Sequence, residues 1–474
     1  MTPQETVERA LAEASAARAS DCIAIADETS DANLRWAGNT LTTNGVTRSR
    51  RLTVIAIADR EDGKGKAVGV VSRAGLRDDQ LADVVWAAKQ AASESSAAED
   101  AQPLIESPTR QPSRNQPANS WDDAVAETEI GVFSGFAGAL RDAFAAASAG
   151  GRKLYGFAQH ELKCTFLGTS AGLRYRHDQP SGRLELNAKS ADLQRSAWGG
   201  TGTRDFSDTD VVGLETQLAQ RLDWAKRRVD LPAGRYETLL SPTAVADLLI
   251  FVYYAAGAKD ALDGRTVFSK PGGGTRVGER LAVLPVTLRS DPGAVGLECA
   301  QFVVAHASSR ASSVFDNGLP LGPTEWIKDG KLNALVQTRH SAELSGLQVT
   351  PLVDNLIFES GQGGAGASLD EMIAHTGNGL LVNCLWYIRG VDPQTLLVTG
   401  LTRDGIYQVE NGEVTGAVNN FRFNESPVGM LDRLAEVGRT RPSLPREFSD
   451  YFPRVAVPPV RVEGFNMSSV STAS

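Results

Sequence analysis

After Leu231-Pro232-Ala233-Gly234-Arg235-Tyr236 the chain changes texture, and this change limits its fold more than any other feature. One helical pattern, about Pro242 to Ala258, is followed by short β-rich runs separated by Gly, Asp and Asn up to Glu425. Closely spaced short strands with turn residues between them predict a sheet-dominated domain. Before Leu231, helical periodicity instead alternates with strand runs. The expected fold class is therefore α+β, with N-terminal mixed α/β units followed by a strand-rich C-terminal domain. The boundaries read as an N-terminal unit over 1–92, a linker over 93–120, a second unit over 121–230 and a C-terminal domain over 231–474.

Local signals support this division. Thr2 caps a helix with Pro3 at its first position and Glu5 completing a capping box, and Val7, Ala10, Leu11 and Ala14 share its inner face. Strand runs follow at Cys22–Ala26, Leu34–Ala37, Leu52–Ala58 and Ala67–Val71, with Asn44-Gly45 as a hairpin signal. A second helix is expected over Asp79–Ala92. The stretch Ser93–Ser120, with Pro103, Pro108, Pro112 and Pro117, lacks periodicity and reads as a connection. Helices over Asp122–Ala147 and Val211–Arg228 flank a strand block, Leu154–Lys189, whose Thr169–Arg174 forms a turn. Farther on, Ser368–Glu371 is a capping box, Leu380–Ile388 a buried strand, Glu410–Glu413 a hairpin, and Ser426-Pro427 the start of a helix. The tail Ser468–Ser474 is small and polar, and fraying is expected there.

Charge and cysteine usage narrow the partners. The 474 residues are 42% apolar, and 48 Lys plus Arg against 57 Asp plus Glu leave a net charge of −9. That is enough apolar material for a large core, and the wrong sign for attraction to phosphate backbones or anionic membranes. Neither nucleic acid nor a membrane is an expected partner. Cys22, Cys164, Cys299 and Cys384 form no CxxC pair, and the longest apolar run, Leu248–Ala258, is shorter than a bilayer. A cytoplasmic protein is expected.

The most tempting local chemistry is His160-Glu161-Leu162-Lys163-Cys164, which on a helix would bring two metal ligands and a base to one face. Its neighbours read as strand, where i and i+4 lie about 13 Å apart, too far to share a metal. His177, His306, His340 and His375 have no HxH or HxxxH partner. The Gly272–Gly274 and Gly361–Gly366 clusters lack the Lys-Ser/Thr that follows a phosphate loop and read as flexible loops, the second able to line a cleft.

Several strings, in order along nearly the whole chain, carry a family likeness. They are Leu41-Thr42-Thr43-Asn44-Gly45, Gly168-Thr169-Ser170-Ala171-Gly172-Leu173-Arg174, Gly234-Arg235-Tyr236-Glu237-Thr238-Leu239-Leu240-Ser241-Pro242 and Ser313-Val314-Phe315-Asp316-Asn317-Gly318. Ser368-Leu369-Asp370-Glu371-Met372-Ile373, Glu410-Asn411-Gly412-Glu413 and Asn419-Asn420-Phe421-Arg422-Phe423 continue the series. The chain thereby resembles the TldD/PmbA family. That family pairs two related subunits, one of which is similar to a zinc peptidase with HExxxH on the helix opening the third unit and a Cys ligand near the C-terminal strand.

Here the corresponding helix reads Leu248-Leu249-Ile250-Phe251-Val252-Tyr253-Tyr254. The two His slots fall near Leu249 and Tyr254 and the Glu slot near Ile250, and Ser443–Val457 contains no Cys. The pattern resembles the PmbA (TldE) subunit, which lacks the metal motif. The resemblance implies no catalytic, cofactor or metal residue in this chain, zinc in a TldD-like partner subunit, inactivity alone, and a peptide or small amide substrate held between the two subunits. It leaves two alternatives open: a related pair that forms an amide bond in a biosynthetic pathway, and a non-enzymatic modulator or binding protein. Asp316, Arg339 and Asp370 are the candidate cleft or interface residues.

Overall fold

The computed structural model describes residues 1–60, 63, 65–106, 121–361 and 363–472. Helix α1 (Pro3–Ala16) starts as its cap dictates: Thr2 Oγ1 accepts the Glu5 N–H at 3.1 Å and the Glu5 carboxylate accepts the Thr2 N–H at 2.9 Å. Its apolar stripe and that of α2 (Leu81–Glu94) cover one end of a six-stranded antiparallel sheet. The strands are β1 (Asp21–Trp36), β2 (Leu41–Asp59), β3 (Lys66–Ala74), β4 (Arg152–Thr169), β5 (Arg174–Ser190) and β6 (Ser196–Thr203), in the order β3-β2-β1-β4-β5-β6.

The two N-terminal units are thus one sheet, joined by continuous pairing of β1 with β4 from Ile23↔Thr169 to Trp36↔Gly156. Helices α3 (Ser134–Ala149) and α4 (Val211–Trp224) pack on the other end of the face that carries α1 and α2. The stretch Ile130–Ala149 is long and apolar enough to cross a membrane by length and composition. In the fold, Phe133, Phe136, Leu140, Ala143 and Ala147 pack with Leu34, Trp36, Leu154 and Leu218.

Several local expectations need correction. Asn44-Gly45 lies inside β2, opposite Leu34 and Asn33. The β1–β2 turn is instead Gly38-Asn39, with φ of 60° and 66°, and Asn39 is fixed there by its side-chain bonds to the Arg152 carbonyl and the Leu154 N–H. Residues 122–129 are not helical, and α3 begins at Ser134. The Leu380–Ile388 run is two strands, Asn378–Val382 and Trp386–Asp392, interrupted where the Asn383 N–H turns to the Gly405 carbonyl. The tail continues strand Val460–Val470, so Ser469 and Val470 are paired with Arg422 and Phe421. Within the expected linker, Ala98, Ala101, Leu104 and Ile105 pack under the sheet, whereas Pro108, Pro112 and Pro117 lie outside the described residues.

The strand-rich domain holds two sheets. One, of six strands, includes Val286–Ser290, Leu356–Ser360, Val455–Val457 and Arg441–Ser443. In the other, of ten, Gly234–Leu240 lies between Val460–Val470 and Asn378–Val382. Helix α5 (Pro242–Tyr254) shares one core with both sheets, touching a cluster that includes Val286, Leu356 and Val455 from the first and Leu380, Phe423 and Val460 from the second. A helix enclosed on every side is apolar all round, which is why its sequence shows no polar stripe.

Candidate functional site

Strand alternation builds the site. On β1, β4 and β5 the even positions face the helices, and the odd ones face the C-terminal domain. At one end the odd face is apolar: Ile23, Ile25 and Leu167 pack with Phe302, Val314 and Phe315. Toward the middle the same face turns polar, with Asp27 on β1, Glu161 and Lys163 on β4, and His177, Gln179, Ser181 and Arg183 on β5. Opposite this stripe lies the segment Ser443–Val457. Between them run two adjoining cavities of about 330 and 300 Å³, both lined by Gln179, Ser181, Gly182, Pro453 and Arg454.

The cleft is crossed by fixed charges. Arg454 pairs with Asp354 and donates to Ser181 Oγ at 2.8 Å, and Arg183 pairs with Asp450 and donates to Gln159 Oε1 at 2.7 Å. Asp27 accepts from Thr165 Oγ1 at 2.6 Å and lies 2.8 Å from His306 Nε2 and 3.3 Å from Lys163 Nζ. Burial pushes the Asp27 carboxyl up, but His306, Lys163 and Thr165 together outweigh it and hold it down at about 2. Glu161 is shifted the other way, raised by burial and by the nearby Asp31 charge, with Lys163, Arg454 and Arg183 opposing. The stripe therefore presents carboxylates and cations at defined positions, suited to holding a polar chain.

Helix α5 does not supply metal ligands beneath this cleft. Leu249 and Ile250 are fully buried core residues and Tyr254 is a half-exposed aromatic on Phe448 and Phe452. Among the described residues no group of three His, Cys, Asp or Glu side chains is placed to hold a metal. The residues at the three slots do not fit zinc.

What α5 contributes is Asp247. Its carboxylate is fully buried and accepts the Arg446 N–H at 3.1 Å and the Glu447 N–H at 2.9 Å, fastening the Ser443–Val457 segment to the helix. Burial is the dominant influence and pushes this carboxyl up to about 8, against the backbone N–H groups that favour its charge.

The sequence-derived candidates fall elsewhere. Asp316 and Arg339 form a buried pair at 2.7 Å, with Arg339 also donating to the Phe315 and Pro103 carbonyls, so their visible work is to lock the chain after α2 onto the C-terminal domain. Asp370 is exposed on the short helix Leu369–Ala374, apart from the cleft. His160 and Cys164 point to the helix side of β4, where His160 bonds Thr128 Oγ1 and the Arg204 carbonyl and Cys164 donates to the Ala126 carbonyl. Glu161 points to the opposite face, so the three cannot share an ion. Gly272, Gly273 and Gly274 all have positive φ in a loop. In the second cluster, Gly361 and Gly366 approach backbone closely, and Gln362 lies outside the described residues. Sequence reasoning missed Asp27, Lys163 and Arg183 on the strands and His306, Asp354 and Arg454 facing them; Asp27 and His306 pair beside the cavities without lining them. Odd-number alternation across β1, β4 and β5 was the available signal for the first three.

The C-terminal half, residues 233–469, matches the model of the PmbA/TldA metallopeptidase C-terminal domain. No curated protein sequence matches the chain. Among solved structures, TldE from Thermococcus kodakarensis superposes with a TM-score of 0.78 at 16% identity, covering 97% of this chain and 99% of that one. A candidate modulator of a DNA gyrase from Thermotoga maritima gives 0.72 at 16% identity over 98% and 99% of the two chains. Another, from Bacteroides thetaiotaomicron, gives 0.73 at 15% identity over 98% of each. At these identities the likeness is one of fold. The family's domain spans the half of the sequence that contains α5 and the segment fastened to it, and on that match the chain belongs to the TldD/PmbA family.

Proposed function

We propose that this chain is the non-metal subunit of a TldD/PmbA-type heterodimeric metallopeptidase, acting in the cytoplasm. A zinc-bearing TldD-like partner supplies the hydrolytic centre, and this chain completes the cleft and holds an extended peptide. One contrast carries the reading: α5 has only core residues at the family's metal slots, while the cleft above it keeps an ordered polar wall and a floor tied down by Asp247. A wall of alternating strand side chains presents groups about 7 Å apart along each strand, the spacing of same-face side chains in an extended peptide. Charge of both signs along the cleft, from Glu161 and Lys163 on the wall to Asp450 and Arg454 on the floor, suits a substrate with polar main-chain groups and ionised ends.

The test is co-expression with the HExxxH-bearing relative from the same genome, followed by metal analysis and peptide cleavage by each chain alone and mixed. Co-elution, with zinc bound and peptide cleaved only when the relative is present and with faster cleavage in the mixture, is the expected result. Stoichiometric zinc and cleavage by this chain alone would overturn the proposal. Incubating the mixture with an acyl donor and an amine separates amide formation from hydrolysis by the product formed.

A further inference from the structure

A small core where β6 meets the C-terminal domain is ringed by arginines. Trp198, Cys384 and Leu444 are buried together, with Trp386 packed against them. The Arg446 guanidinium carbon lies 3.8 Å from the Trp386 ring centroid and 5.4 Å from that of Trp198, and Arg403 lies 5.6 Å from the same Trp386 ring. From α4, Arg221 reaches in to donate to the Trp198 carbonyl at 2.9 Å. The Nε atoms of Arg446 and Arg403 are both buried, and neither has a hydrogen-bond partner among the described residues. Among the described residues the buried Trp386 indole N–H finds nothing better than the Cys384 thiol, a weak acceptor.

The neighbouring carboxylates are already engaged. Glu185 accepts from Trp198 Nε1 at 3.0 Å and from Ser449 at 3.1 Å. Glu447 accepts the Tyr387 N–H and pairs with Arg389. Asp247 holds backbone N–H groups, and Asp404 accepts the Ser196 hydroxyl while standing 3.6 Å from Arg403 Nε. Among the described residues Arg446 has no carboxylate of its own. Stacking on indole offsets part of the cost of enclosing its charge, but it leaves the N–H donors unanswered.

We propose that this arginine–tryptophan cluster is an oxyanion-binding site centred on Arg446, taking a phosphate- or carboxylate-sized anion whose oxygens accept the unpartnered N–H groups. Arg403 and Arg221 supply the surrounding positive charge. Arg446 also belongs to the segment that floors the cleft, so an anion here braces that segment through the Arg446 side chain while Asp247 holds its backbone N–H. Guanidinium suits the role because its planar fork matches two oxygens at once. The site does not depend on the peptidase reading, since it needs neither partner nor zinc.

The test is a thermal-shift titration of the full chain with sodium phosphate and, separately, sodium succinate, each against sodium chloride at matched ionic strength. A saturable rise in melting temperature of a few degrees beyond chloride is expected with at least one of the two. Phosphate alone points to a phosphoryl ligand, succinate alone to a carboxylate, and both to the oxyanion shape they share. Arg446→Gln should weaken the response at least tenfold, and Arg403→Gln, which is partly exposed, should weaken it several-fold and serves if the first variant does not fold. Arg228→Gln, an exposed arginine elsewhere, should leave it intact. The proposal is overturned if neither anion gives a saturable shift beyond chloride, or if the shift survives unchanged in both cluster variants.

Discussion

Asp247 gives the sharpest test of how α5 works. Replacing it with Ala removes the acceptor of two backbone N–H groups, those of Arg446 and Glu447, and leaves a small cavity in the core. At about 1–3 kcal/mol for each stranded donor, the loss is about 2–6 kcal/mol. Asp247→Asn keeps the shape and one oxygen acceptor, and should cost about 1–2 kcal/mol near neutral pH. The pH dependence is more informative. The folded carboxyl is raised from its ordinary 3.8 to about 8, so its contribution to stability is fully present below pH 4 and is lost as pH rises toward 8. The slope is about 1.4 kcal/mol per pH unit, so between pH 5 and 7 wild type loses about 3 kcal/mol through this group and the Asn variant loses none. Urea unfolding followed by tryptophan fluorescence at pH 5, 7 and 8.5 should therefore show the gap between wild type and Asp247→Asn shrinking as pH rises. A gap that stays constant or widens would mean that the carboxylate is ionised throughout and held by the N–H groups, which refutes the argument from burial.

Three further outcomes are expected. A Cβ on Gly69 would sit 2.1 Å from the Ala88 carbonyl oxygen and 2.2 Å from the Ala92 nitrogen, so Gly69→Ala must push α2 off β3 and cost about 1–3 kcal/mol; calorimetry showing an unchanged melting temperature would contradict it. Arg339→Met strands the buried Asp316 carboxylate and should cost about 3–5 kcal/mol in urea unfolding, partly recovered by adding Asp316→Asn, and additivity of the two changes would argue against the pair. All four cysteines are buried, and burial pushes their thiols up to about 12, so Ellman's reagent at pH 8 should find none reactive until denaturant releases four; a fast-reacting thiol in the native protein would be a failure.

Local chemistry was legible wherever one short stretch decides the outcome. The Thr2, Ser368 and Ser426 helix starts and the Asn411-Gly412 hairpin all form as their residues require. The misreadings share a cause, which is that a tertiary partner overrides a local signal. Asn44-Gly45 is held straight by fourteen-plus residues of pairing around it, and Gly38-Asn39 turns instead because Asn39 finds partners on β4, more than a hundred residues away. The candidate site was hidden for the same reason. Asp27, Lys163, His306 and Arg454 are scattered through the sequence and meet only because β1 lies beside β4 and the C-terminal domain closes over both. A missing motif, by contrast, is readable without any partner: Leu249 and Ile250 are as apolar in the structure as on the page.

The placing of Gly234–Leu240 between Asn378–Val382 and Val460–Val470 also sets an order of events during synthesis. The strand that leads into α5 is made about 220 residues before one of its two neighbours. At roughly 5–20 residues per second, the apolar helix waits on the order of ten to forty seconds for that strand. Such non-local closure is slow to fold and exposes sticky surface meanwhile. A chain cut short before Val460 would lack Val460, Val462, Phe465 and Met467 from the core around α5, and Gly234–Leu240 would be left with one open edge.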